Sequence, residues 1–308
     1  MTPARWVRRP VVLRRLALAT LIANVVIVVT GGAVRLTGSG LGCPTWPSCT
    51  DASLTPTREY AVHGVIEFTN RQLTFVLSAV VLATLVAAIL ARRQVRLAVL
   101  VAASIPAQAV LGGITVLTHL NPWTVAAHFL LSILIIAAAF ALWWRLREEP
   151  AAAPGGGAAA LRTAGWAILA LTAAVLAVGT VVTGSGPHAG DKGATHRIGL
   201  DPGAVSQLHA DLVMLLIGVS VGLAVLARAA GAPARLQRAG WLLVAVELAQ
   251  GLIGFVQYFT HVPAVLVGLH MLGACLVWLA ALTVLARTLH RPSLSPAAEA
   301  RLLAAQRH

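Results

Sequence analysis

Eight apolar stretches follow one another along this chain, at residues 15–34, 60–90, 97–117, 123–144, 163–183, 206–227, 239–259 and 262–286. Each has about the 20 residues that a helix needs to cross the hydrocarbon core of a bilayer. No water-soluble core of ordinary composition absorbs so much apolar sequence, because 58% of the 308 residues are hydrophobic and 11% are charged. The runs are long and unbroken, without the weak ten-residue alternation of a barrel, so they read as helices. The first is too long for a removable signal and carries no cleavage site, so it counts as a span. The expected fold is an all-α integral membrane protein with eight transmembrane helices.

Arginines set the orientation. They gather in the N-terminus (Arg5, Arg8, Arg9, Arg14, Arg15), in "ARRQVR", around Arg145, Arg147 and Arg162, in "ARAAGAPARLQR" and in the tail. Basic residues mark the cytoplasmic side, which puts both termini there and turns the loops "GLGCPTWPSC" and "GPHAGDKGATHR" outward. The net charge of +13 is then a topology signal and not a nucleic-acid footprint.

The segment "REEPAAAPGGGAAALR" divides the chain into an N-terminal half (1–147), a cytoplasmic linker (148–162), a C-terminal half (163–290) and a cytoplasmic tail (291–308). The halves are related. "QAVLGGITVLTHLNPWTVAAH" at Gln108–His128 aligns without a gap on "QGLIGFVQYFTHVPAVLVGLH" at Gln250–His270, keeping Gln, Gly, Thr-His and the final His in register. "TGSG" ends the first helix of each half, at Thr37–Gly40 and Thr183–Gly186. Both halves run outward first, so the expected arrangement is two tandem four-helix bundles related by a pseudo-twofold axis along the membrane normal.

Histidine within a bilayer is costly unless it has a task. Each half carries one in its second helix (His63, His209) and one in its fourth (His128, His270). His63 and His209 both lie 23 residues beyond the end of TGSG, so the spacing predicts a common depth for them, and hence two histidine pairs near the outer surface. Two histidines on facing helices at one level suit axial ligation of a haem. Interhelical hydrogen bonding is the competing reading, and zinc is a weaker one, since only Glu67 offers a further ligand nearby.

In "GGAVRLTGSGLGCPTWPSC", "EFTNR", "QAVLGG", "VVTGSGPHAGD", "LHADL" and "VGLH" together, the whole chain resembles the haem A synthases in their high-GC Gram-positive form. Such proteins are duplicated eight-helix oxidoreductases that convert the C8 methyl of haem O to a formyl group, supplying haem A to cytochrome c oxidase. The resemblance implies that His209 and His270 ligate a resident haem b (iron), and that the N-terminal half takes the substrate haem O. It also implies as partners a haem O synthase, an electron donor and a thiol-disulfide oxidoreductase.

One departure concerns the substrate half. Many family members have Glu-x-x-His-Arg where this chain has Glu67-Phe-Thr-Asn70-Arg71, and asparagine is a poor haem ligand. His63, about two helical turns before Asn70 and on the same face, is the preferred substitute partner for His128, with a shift of the helix as the alternative. Glu67 matches the family's required glutamate and is the catalytic candidate, handling protons beside the haem edge; a plain i,i+4 pair with Arg71 is the structural alternative. Cys43 and Cys49, outside the membrane with five residues between them, are expected to close a disulfide, either as a staple or as a thiol pair exchanging with a partner. Cys275, inside the last span, reads as packing. Arg35, Arg58, Arg71, Lys192 and Arg197 are basic residues on the outer side and candidates for haem propionates. A di-haem b-type cytochrome for quinol-linked electron transfer is the alternative function, against which the asymmetry of the halves speaks. A transporter is a third class, disfavoured because the polar residues cluster toward one face and not at the midplane.

Overall fold

The computed structural model describes residues 10–56, 61–147, 157–188, 190 and 196–289. They form α1 (Pro10–Leu36), α2 (Ala61–Ala91), α3 (Val95–Leu117), α4 (Pro122–Arg145), α5 (Ala158–Ser185), α6 (Pro202–Ala229), α7 (Ala234–Phe259) and α8 (Ala264–Leu289). All eight are long and apolar enough to cross a membrane, and the protein is a multi-pass, all-helical membrane protein. Among the described residues there is no strand, only a lone bridge between Thr50 and Ser53.

The apolar runs set the helices, and local chemistry trims their ends. Asn121 caps α4 by accepting from the Trp123 amide at 3.0 Å, and Asp201 caps α6 by accepting from the Ala204 amide at 2.7 Å. Each cap precedes a proline, Pro122 or Pro202, which fits the first helical position where no amide is needed. Six helices begin earlier than the apolar runs, α1, α5 and α7 by five residues and α6 by four. α1 starts at Pro10, and α5 starts at Ala158, inside the expected linker, where three alanines and a leucine favour helix.

Within the first four helices, α1 packs on α2 and α4, and α3 packs on α2 and α4; the last four repeat this closed order, with α5 against α6 and α8, and α7 against α6 and α8. The two sets meet through α1, α4, α5 and α8. Leu21, Val28, Ile133, Ile136, Leu176 and Trp278 share one buried cluster at that seam, along with Cys275, which packs there as expected. The Trp278 indole donates to the Ile133 carbonyl at 3.0 Å across the seam. At Gly32 a Cβ would collide with the Met271 methyl group, so α1 and α8 touch at a glycine. Far from the TGSG turns, the Arg147 guanidinium lies 4.7 Å from the Trp143 ring centre and 4.8 Å from that of Trp144, where a cation–π contact shelters the charge.

Candidate functional site

His209 on α6 and His270 on α8 face each other with ring centres 6.5 Å apart and planes inclined at 61°. Their Nδ1 atoms are both buried without a hydrogen-bond partner, a costly state in a bilayer interior. Each ring rests on a glycine of the neighbouring helix. A Cβ at Gly179 on α5 would stand 3.2 Å from His209 Cε1, and one at Gly254 on α7 would stand 3.0 Å from His270 Cε1. Gln250, one turn before Gly254 on α7, donates from Nε2 to the His270 carbonyl at 2.6 Å and fixes the height of α8 at that residue.

This pair can be tested against the group that it is expected to hold. At the roughly 2 Å bond usual between a metal and an imidazole nitrogen, two axial histidines set their ring centres a little over ~6 Å apart, close to the observed 6.5 Å. With Nδ1 turned toward the supporting glycine in each ring, Nε2 is the nitrogen that would serve as the axial donor. A porphyrin brings its own four ligands, so two histidines complete the iron; no group of three or more His, Cys, Asp or Glu able to hold a metal ion occurs among the described residues. The residues fit a bis-histidine haem.

In the first half, His128 on α4 is supported as His270 is. A Cβ at Gly112 would lie 3.0 Å from its Cε1. Gln108 donates from Nε2 to the His128 carbonyl at 2.9 Å and to Ser132 Oγ, and the His128 Nδ1 atom is buried without a partner. Gln108 and Gly112, like Gln250 and Gly254, are four residues apart and therefore lie on one helix face. These supports were visible in the repeat as shared letters; their task was not, because a glycine's role depends on what approaches it.

The partner side of the first half departs from expectation. His63 is half-buried near the start of α2, with Nδ1 2.8 Å from Ser39 Oγ in the TGSG turn. His209 instead rests on Gly179, four residues before Thr183. Equal spacing from TGSG therefore does not give the two histidines equal depth. The first loop folds back onto α2 so closely that a Cβ at Gly42 would strike the His63 carbonyl. Asn70 lies deeper: its Nδ2 is 3.9 Å from the Cβ position of Gly31 on α1, and its Oδ1 is buried without a partner.

The expected Cys43–Cys49 disulfide is formed, with Cα atoms 4.3 Å apart and both residues fully buried. Glu67 and Arg71 hold the loop that it closes. Glu67 Oε1 accepts from Arg71 Nη2 at 2.6 Å and from Nε at 3.1 Å, and Glu67 Oε2 accepts from the Cys43 amide at 2.7 Å. Arg71 Nη1 donates to the Thr45 and Ser48 carbonyls, each at 3.1 Å, and Nη2 donates to the Cys43 carbonyl at 2.9 Å. All five N–H groups of Arg71 are engaged by these bonds, so its guanidinium serves the loop and Glu67 instead of standing free for a propionate. Arg35 is likewise drawn into protein contacts: its Nη2 donates to the Thr183 carbonyl at 3.1 Å and to the His188 carbonyl. Next to it the Gly40 amide donates to the Gly190 carbonyl at 2.8 Å, which ties the first TGSG turn to a glycine beyond the second. Arg197 is exposed and donates to the Pro187 carbonyl at 2.7 Å; Arg58 and Lys192 lie outside the described residues.

A family model, COX15-CtaA, described as cytochrome oxidase assembly protein, matches residues 14–190, more than half of the chain. The chain belongs to the cytochrome oxidase assembly protein family. The matched stretch takes in both TGSG turns, the cysteine loop, "EFTNR" and "QAVLGG". His209 and His270 lie beyond it, so their pairing rests on the geometry described above. None of the curated proteins matches the chain.

Proposed function

We propose that this member of the cytochrome oxidase assembly family is a haem A synthase of the cell membrane, oxidising the C8 methyl of haem O to a formyl group. The observation that carries the reading is the inequality of the two halves. One presents facing histidine rings 6.5 Å apart. The other presents a single supported histidine, His128, with Asn70, the Glu67–Arg71 pair and a disulfide loop on its α2 side. A duplicated electron-transfer subunit with two permanent haems is expected to keep two strong ligands in each half, whereas a protein that keeps one haem and turns over another is expected to hold the second less firmly.

In this reading the two halves are a parallel duplication, both termini are cytoplasmic and the TGSG ends face outward. His209 and His270 hold haem b, which when bound supplies one-electron transfer to the substrate side. His128 is the ligand offered to haem O, its height fixed by Gln108 and its ring seated on Gly112. Asn70 adds a side-chain amide facing α1 one turn from Glu67, a weak ligand that leaves the substrate free to depart, and His63, near the start of α2, is the other candidate partner of His128. Glu67 is the proton-handling group, acting through Oε2 at the Cys43 amide as the methyl loses hydrogen. The conversion of methyl to formyl removes four electrons and adds one oxygen atom, so besides haem O synthase it calls for an oxidant: dioxygen together with an electron donor, with the oxygen atom not inserted leaving as water at each turn.

Replacement of Glu67 by Gln tests this. The account expects the C-terminal low-spin haem b spectrum to persist while haem O, or a hydroxymethyl haem, accumulates in place of haem A in extracts normalised to folded protein. A normal yield of haem A from Glu67→Gln removes Glu67 from catalysis.

A further inference from the structure

The cysteine loop is more than a cross-link, because of what stands at its tip. Trp46 lies between the two disulfide cysteines, and its ring presses on α3 at Gly113, where a Cβ would come within 2.5 Å of Trp46 Cδ2 and 2.7 Å of Cε2. Gly113 follows Gly112, the seat of His128. Consecutive glycines on one helix thus carry the indole and the imidazole, about 100° apart around the helix axis. Trp46 is 38% exposed, so part of the residue rests on α3 and part is open to a ligand.

The loop reaches this position because it is held on both sides of Trp46. The Arg71 guanidinium binds the carbonyls of Cys43 and Thr45 before it and of Ser48 after it. Glu67 orients that fork through Oε1 and holds the Cys43 amide through Oε2. A planar fork with five donors suits this task, and the single ammonium group of lysine does not reproduce it.

We propose that Trp46 forms the loop-side wall of the substrate-haem site and contacts the face or edge of the porphyrin, with Arg71 as the positioning residue that keeps it there. This deepens the reading of the first half as the substrate site and rests on it. The ligand class is a planar aromatic macrocycle, for which indole is the strongest side-chain platform by area and by π-contact. The second half carries "PHAGDKGATHR" at the corresponding place, with no tryptophan, so the wall belongs to the half that exchanges its haem.

The test is a titration of purified, full-length, haem-b-loaded protein with haem O, followed by absorbance. Trp46→Ala is expected to bind haem O roughly tenfold more weakly, and Trp46→Phe to recover most of the loss. Arg71→Lys is expected to show a loss like that of Trp46→Ala, and the double variant little more than either alone, because both changes remove one contact. The reduced haem b spectrum reports that each variant is folded. Unchanged affinity in Trp46→Ala overturns the contact, and additive losses in the double variant overturn the positioning role of Arg71. A wild-type protein that takes up no haem O overturns the substrate-site reading itself and this inference with it.

Discussion

Replacing Gly254 by alanine isolates the seat of one imidazole with little other disturbance. The added Cβ would stand 3.0 Å from His270 Cε1, whereas ordinary contacts begin at 3.4 Å, so the ring must retreat by at least 0.4 Å, the difference between the two. Sites of this kind must be held within about 0.5 Å of their working geometry, so this retreat uses up most of the tolerance. His270 faces His209 across a fixed 6.5 Å, and its backbone is pinned by Gln250, so the ring adjusts chiefly by leaving its rotamer minimum. Such a departure costs about 0.5–1.5 kcal/mol, which corresponds to haem retention weaker by about twofold to tenfold. Gly251, on the same helix with nothing within 4 Å of its Cβ position, provides the control. Both substitutions favour helix by about 1 kcal/mol, so a general loss of stability does not explain a difference between them. The assay is the haem b to protein ratio with the reduced spectrum after detergent purification. Gly254→Ala with the haem content and spectrum of Gly251→Ala refutes the reasoning.

Three further outcomes follow from the same contacts. His209→Ala or His270→Ala is expected to abolish the stable low-spin haem b spectrum, and a folded variant with an unchanged reduced spectrum removes that residue from the ligand set. Gln250→Leu removes the bond to the His270 carbonyl and is expected to lower haem b retention, while Gln108→Leu lowers haem O uptake and leaves the haem b spectrum intact; a reversed pattern contradicts the division between halves. Mass spectrometry without reductant is expected to find Cys43 and Cys49 linked, and two free thiols refute it.

The fold was legible because membrane spans are written as long apolar runs, a signal that needs no tertiary context. Helix existence was therefore readable, while the start of α5 at Ala158 was not, since an alanine-rich segment is compatible with both linker and helix. His128 and His270 stood out because a repeat preserved them. The path of the first loop was hidden: Arg71 meets carbonyls at residues 43, 45 and 48, and backbone acceptors carry no sequence signature. The same concealed path explains His63. A count of 23 residues equates depth only if the intervening loops run alike, and a count does not show that the disulfide loop packs back on the start of α2.

The central claim is that one half keeps its haem and the other converts one. Its most direct test is quantitative extraction of haems from the purified wild-type protein after expression with a supply of haem O. The account predicts about one haem b per chain, retained, together with haem O and haem A in amounts that vary with the haem O supply. Two equivalents of haem b per chain, with no haem A under any supply, contradict it and make the protein a di-haem cytochrome.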